Sequence, residues 1–335
     1  MSSESPAKPR LDEASTPARP ERPPPKHIFK GHKHWVLSSV FLHDNVHIVS
    51  GSYDSTMRKW DCETGLLVGE PWEGEGGRIW ALALSPDGKM IACGRDDGSL
   101  QRWNTDGEMS EDVWMGHSKA VRSLSWSPSG GHIASGSDDA TILIRKAENG
   151  EVEMGPIKMG QDRVYSVAYS PSGNRIASCG YNCAICIWDS NTSELLVGPT
   201  INHLSTNAVS WVVWSSDSSK LYSTSWYYAR VFDSVSGTEL HRFKHTHWLD
   251  SGALSPKHNV LACVGIGGYA QLWDTECYQP LGKPFGPRDG DLCCVSFSRD
   301  GRYLGCGEGN RIILWMVKDI APDLPVCASI YHLSR

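Results

Sequence analysis

Several constellations in the sequence carry the residue types of chemistry. His32, Ser50 and Asp54 supply the imidazole, hydroxyl and carboxylate of a nucleophilic hydrolase. Cys183-Ala-Ile-Cys186 has the spacing of a redox pair or of half a zinc site, and His245-Thr-His247 that of a metal-binding pair. Gly305-Cys-Gly-Glu-Gly309 has the glycines of a phosphate loop. Each has a structural reading that takes precedence. The His, Ser and Asp return as His117, Ser135 and Asp139, and a set repeated along the chain serves architecture before catalysis. In a strand, Cys183 and Cys186 face opposite sides, and no second pair completes a zinc site. The stretch around His245 aligns with the one from Phe29 to Ser38, less one Gly, which makes His245 the counterpart of His32 and His247 a loop residue. The glycine run lacks the lysine and strand-to-helix context of a phosphate loop and reads as a turn. Neither a metal nor a cofactor is expected, and no catalytic residue is assigned.

The elements that carry these residues repeat. A segment of the form Gly-x-x-Asp-x-x-x-x-x-Trp starts at Gly51, with echoes from Gly94, Gly136, Gly180, Ser223, Gly265 and Glu308. The Trp column holds Trp60, Trp103, Arg145, Trp188, Phe232, Trp273 and Trp315, at spacings of 43, 42, 43, 44, 41 and 42. Upstream of the column lie β-rich runs broken by Ser-Pro-x-Gly turns, as in LALSPDGKMIA from Leu82 and LSWSPSGGHIA from Leu124. Strand, tight turn, strand, Asp/Gly turn, Trp-bearing strand and a weaker fourth strand make one propeller blade per period. The fold expected is all-β: seven four-stranded antiparallel blades over residues 26–318. The last unit lacks a fourth strand, and KHIFK from Lys26 is the spare strand that would close it. Residues 1–25, rich in proline, are expected to be disordered, and residues 319–335 to form an irregular tail.

The composition limits the function. The chain has 335 residues, 40% hydrophobic and 21% charged, enough for a sizeable core. It carries 14 Trp against 6 Phe, a bias the fold has to explain. A net charge of −6 argues against direct nucleic-acid binding and against a polybasic membrane anchor. No apolar run reaches transmembrane length, and the N-terminal stretch has no signal-peptide core. The 11 irregularly spaced Cys fit a reducing compartment, the cytoplasm or alternatively the nucleus.

The Gly31-His32 start, the Asp54 turn and the Trp60-Asp61 end resemble the WD-repeat β-propeller family over roughly nine-tenths of the chain. The linkers LLVGEPWEG, EVEMGPIKMG, LLVGPTINH and QPLGKPFG look most similar to those of fungal stand-alone and NACHT-linked WD-repeat proteins. The resemblance implies that His32, Ser50, Asp54 and Trp60 form a buried hydrogen-bonded chain. Later repeats depart from it. Cys93, Cys263 and Gly305 replace the Ser, Asn182 and Gly267 the Asp, and Arg145 the Trp. Blade three is therefore expected to be the least regular, with Arg145 either paired to a carboxylate or left in a loose blade.

The resemblance also implies a partner-binding top face around the central channel. Its columns yield Trp35, Tyr53, Arg78, Trp80, Arg122, Arg163, Tyr165, Tyr181, Trp226 and Trp248, residue types that dominate protein interfaces. The arginines on blades two to four suggest a peptide with an acidic stretch and an apolar anchor. The function expected is a non-enzymatic protein–protein interaction scaffold, monomeric within a larger complex. The alternatives are a substrate-recognition subunit of a ubiquitin ligase and a histone-tail or chromatin reader. Against the ligase reading, the arginine common two residues after Trp-Asp in such receptors is Glu63, Asn191 and Glu276 here, and no F-box-like segment precedes the repeats.

Overall fold

The computed structural model describes residues 22–160, 163–181, 184–198, 208–256, 259–287 and 289–324. These form seven four-stranded antiparallel sheets, each from four consecutive strands except the last. Blade one shows the construction: Val36–Phe41, His47–Ser52, Thr56–Asp61 and Leu67–Glu73, paired in that order from the channel outward. Carboxylates fix its turns. Asp44 accepts the amides of Val46 and His47, Asp54 that of Thr56, and Asp61 those of Glu63 and Thr64. Asp189, Asp233 and Asp274 repeat the last arrangement, which explains the acid at the end of the Trp-bearing strand.

The apolar core lies between blades. Val49 and Met57 of blade one pack with Ile79 and Leu82 of blade two, and Phe41, Ile48 and Trp60 pack with Tyr303 and Leu314 of blade seven. Inner-strand serines join neighbouring sheets: Ser38 accepts the Leu82 amide at 3.0 Å and Ser123 the Val167 amide at 3.0 Å. The tryptophan bias follows from this plan. Trp60, Trp103, Trp188, Trp273 and Trp315 lie on third strands and Trp72 and Trp114 on fourth strands. Trp126, Trp211 and Trp214 lie on inner strands; Trp126 and Trp214 donate to carbonyls of the preceding blade. Trp35, Trp80, Trp226 and Trp248 belong to the channel mouth described below.

His27–Lys30 pairs antiparallel with Arg311–Met316 and completes blade seven. Phe29 stacks on Trp60 at 5.4 Å, so the strand also packs on blade one. Lys26 bonds Glu63 at 2.7 Å and the Tyr303 hydroxyl at 3.0 Å, and that hydroxyl donates to Glu63 at 2.6 Å.

Three expectations need correction. The tail does not begin as irregular chain: Val317–Ile320 is a helical turn, and Val317 and Ile320, three residues apart on one face, are buried in the core of blades six and seven. Within the segment expected to be disordered, Arg22 donates to the carbonyls of Gly286 and Pro287; residues 1–21 and 325–335 lie outside the described residues. The Gly305 run lies mostly in the strand Tyr303–Glu308, not in a turn. A Cβ at Gly305 would stand 2.6 Å from Ile48, and one at Gly307 would stand 2.8 Å from the Val36 carbonyl, so these glycines let blade one approach. Blade three has all four strands, and as expected it is the least regular in pairing: besides the slip in its inner strand, its two outer strands shift register twice, once at Arg145. Among the described residues Arg145 pairs with no carboxylate. It is 2% exposed and donates to the Gly150 and Met115 carbonyls at 2.9 and 2.8 Å, which hold the buried guanidinium where the sheet slips.

The expected hydrogen-bonded chain forms completely in blade one. His32 Nδ1 donates to Asp54 at 2.9 Å, the Ser50 hydroxyl donates to Nε2 at 2.7 Å, and the Trp60 indole donates to Ser50 at 2.8 Å. Burial opposes the Asp54 charge, yet bonds from His32, Thr56 and the Lys33 amide hold its carboxyl well below the usual range. Blade three keeps His117, Ser135 and Asp139. In blade four, Ser178 accepts the Trp188 indole at 2.8 Å, and Met159 stands in the histidine's place, its sulfur accepting from Ser178 at 3.1 Å. Where the serine is lost the indole is orphaned: among the described residues Trp103, Trp273 and Trp315, in the blades of Cys93, Cys263 and Gly305, have no hydrogen-bond partner. Blade six is the extreme case. His245 is buried with both ring nitrogens unbonded, and burial pulls its pKa down to about 4.

Three results are expected. Deleting residues through Lys30 should lower the melting temperature by roughly 10 °C or more, because it strips a paired strand and the Phe29 contact; an unchanged melt would refute the clasp. Cys263→Ser offers a hydroxyl to Trp273 and His245, so it should raise unfolding free energy by about 1 kcal/mol or more in denaturant titrations. As pH falls, the unfolded chain protonates His245 before the folded one does. Stability should therefore decline between pH 6.5 and 4 by roughly 3 kcal/mol, and less in His245→Leu.

Candidate functional site

The innermost strand of a blade needs an apolar alternation to pack, and it must also present side chains to the channel. A β-bulge meets both demands. In blades one, two, three, four, six and seven the register slips between the first and third residues of this strand. The skipped residues are Leu37, Trp80, Arg122, Tyr165, Asp250 and Cys293. All six, with Ser210 from blade five, line one cavity of about 930 Å³ along the ring axis. The extra residue leaves the ladder and aims at the channel while its neighbours, such as Val36, Ile79 and Val121, stay buried.

A second ring stands above the first. In blades one to four and six, the residue before the inner strand bonds through its carbonyl to the residue before the Asp turn: Trp35 to Tyr53 at 2.8 Å, Arg78 to Asp96 at 3.0 Å, Ala120 to Asp138 at 3.0 Å, Arg163 to Tyr181 at 3.1 Å and Trp248 to Ile266 at 2.9 Å. This bond sets the columns that the sequence assigned to the top face.

The ten candidate residues thus fall on one mouth of the channel, in two conditions. Tyr53, Arg78, Trp80, Arg122 and Tyr165 are engaged with one another. The Arg78 guanidinium lies 3.8 Å over Tyr53, whose other neighbours are His34 and the edge of Trp80. The Arg122 guanidinium lies 3.8 Å over Trp80 and 5.5 Å from Tyr165, with Asp138 at 3.8 Å. The Trp80 indole donates to Asp96 at 2.8 Å. The remaining five, Trp35, Arg163, Tyr181, Trp226 and Trp248, are exposed. Trp35 stands apart, 46% accessible; Trp226 and Trp248 stack at 4.7 Å with Tyr227 edge-on.

Four residues of this ring are not among the ten candidates, although they occupy the same columns of the repeat: Leu37, Ser210, Asp250 and Cys293. Burial among the channel walls pushes the Asp250 carboxyl up to about 6, with the Asp291 charge adding to it, although water reaches the side chain. Burial likewise pushes the Cys293 thiol up to about 12, so it stays protonated. A bulge leaves little trace in a hydropathy pattern, which is why the ring reads only as columns.

The motifs set aside earlier add no residue to the cavity lining. Cys186 is buried, and its partner Cys183 lies outside the described residues. His247 stacks on Tyr269 at 4.9 Å. Among the described residues, no three His, Cys, Asp or Glu side chains converge to hold a metal, and no helix is long and apolar enough to cross a membrane.

Comparison with known proteins agrees with this geometry. The family model "WD domain, G-beta repeat" matches residues 23–61, 68–104, 110–145, 156–189 and 279–316, more than half of the chain. The chain is 35% identical over 69 residues to an uncharacterized WD repeat-containing protein of Schizosaccharomyces pombe, covering 21% of this chain and 17% of that one. It is 36% identical over 85 residues to WD repeat and SOCS box-containing protein 1 of Xenopus tropicalis, covering 25% and 19%. It is 36% identical over 70 residues to the serine-threonine kinase receptor-associated protein of Gallus gallus, covering 21% and 20%. The matches span a fifth or less of these relatives' own lengths. With seven antiparallel blades and the matched repeats, the chain belongs to the WD-repeat family of β-propellers.

Proposed function

We propose that the protein is a non-enzymatic scaffold that captures a peptide or protein segment at the channel mouth. One observation carries this reading: large aromatic side chains, Trp35, Trp226 and Trp248, are held exposed at the rim of a rigid channel of about 930 Å³. Exposed rings on a fixed frame lose little freedom on binding and bury much apolar area, as hot-spot residues do. The family is one of interaction modules, which supports the reading. Its place is the cytoplasm or the nucleus, as a single copy within a larger assembly. The similarity to fungal stand-alone or NACHT-linked propellers belongs to the same proposal, supported as to the fungal WD-repeat proteins by the Schizosaccharomyces pombe relative.

A second reading, substrate recognition for a ubiquitin ligase, is supported by the SOCS box-containing relative. Against it, the position where such receptors carry arginine is Glu63, which here joins Lys26 and Tyr303 in the clasp.

The double variant Trp35→Ala/Trp248→Ala removes two exposed rings without touching the Arg122 stack. Quantitative affinity purification should show captured proteins depleted by about tenfold or more against wild type, with circular dichroism and melting unchanged. Equal capture by both would refute the mouth as the binding surface.

A further inference from the structure

The charges around the mouth are unequally answered. On blades two and three each charge has a counterpart within the fold: Arg122 has Asp138 and two aromatic faces, Arg78 has the Tyr53 ring, and Asp96 has the Trp80 indole. These arginines are thus held flat against rings of the fold. Three blades further round, nearly opposite Arg122, the situation reverses. Asp250 projects into the channel without a hydrogen bond or ion pair among the described residues, and the charge that acts on it is Asp291, of the same sign. Among the described residues the Asp291 carboxylate accepts one hydrogen bond, from the Gly267 amide at 2.9 Å. The neighbouring Cys293 is neutral. A carboxylate that lines the cavity unpaired, with the like charge of Asp291 acting on it, favours a positive guest.

A second observation points the same way. Trp248, two residues before Asp250, stacks on Trp226 with Tyr227 against its edge, and all three are exposed. Aromatic faces beside carboxylates suit a cation that carries apolar surface, and Arg122 between Trp80 and Tyr165 shows how this ring of residues holds a guanidinium. Too few donors converge here to hold a metal ion.

We infer that this half of the mouth receives an arginine side chain of an extended partner peptide, with Asp250 and Asp291 taking the guanidinium and the Trp226–Trp248 stack covering an adjacent apolar residue. The inference rests on the mouth being the capture surface. It replaces the acidic peptide expected from the sequence with a basic one.

Fluorescence polarisation with three labelled peptide pools tests it. Each pool has the form Gly-X-Z-X-Gly, with X varied over apolar residues and Z set as arginine, citrulline or glutamate. The arginine pool should bind the full-length protein. Citrulline, equal in shape and uncharged, should bind about tenfold weaker or less, and glutamate not at all. Asp250→Asn should weaken the arginine pool by about tenfold while raising the melting temperature, since it removes a repelled charge, so misfolding cannot explain the loss. Glutamate binding as well as arginine, arginine binding indifferent to Asp250→Asn, or no binding by any pool each overturns the inference. If the pools fail while Trp35→Ala/Trp248→Ala still loses its captured proteins, the basic ligand is wrong and the capture surface stands. If that double variant loses nothing, the capture surface itself is wrong.

Discussion

Seven sheets arranged around an axis can bury their faces only if the first meets the seventh, and here that meeting depends on one short strand. His27–Lys30 is the outer strand of blade seven, and its Phe29 also packs on Trp60 of blade one. The core of every blade is shared with a neighbour, so an open ring would expose two apolar faces at once. The Lys26–Glu63–Tyr303 bonds fasten the strand from its solvent side. The channel, and with it the spacing of the residues around its mouth, exists because this joint holds.

With the ring closed, individual blades can lose parts of their internal bonding. Blade one has an unbroken line from carboxylate to indole, whereas blades two, six and seven carry indoles with no acceptor, and blade three substitutes a buried arginine held by two carbonyls. Each unbonded group costs on the order of 1 kcal/mol or more, a burden that a core running between all neighbouring sheets can sustain. The bulges belong to the same division of labour. Residues on either side of the slip keep the sheets packed, and the released residue is free to vary from Leu37 to Arg122 to Asp250 without disturbing them.

Much of this was legible in the chain because packing imposes a period. The Trp column and the Ser-Pro-x-Gly turns give the blade count, and the unpaired KHIFK gives the closure. The mouth was legible as columns but not as a surface. Arg122 and Trp80 lie one repeat apart, and nothing local says that they stack on each other. Asp250 reads as one acid among many until the absence of a counter-charge around it is visible. The same limit applies to Arg145, whose acceptors Met115 and Gly150 are main-chain atoms that no residue type announces. Side-chain identity predicts which positions face one another, and not how their demands are met.

The joint between residues 27–30 and 311–316 also sets an order of events on the ribosome. Residues 27–30 are made well before residues 311–316, and at ~5–20 residues per second they wait on the order of tens of seconds before that partner exists. For that interval Ile28 and Phe29 travel as a short unpaired ribbon, carried between Lys26 and Lys30 and preceded by a run of prolines. Lysine and proline are the residues that keep a bare edge from joining another chain. The polar character of this first segment thus has a use before the protein is finished: it holds a closing strand out of trouble until there is something to close.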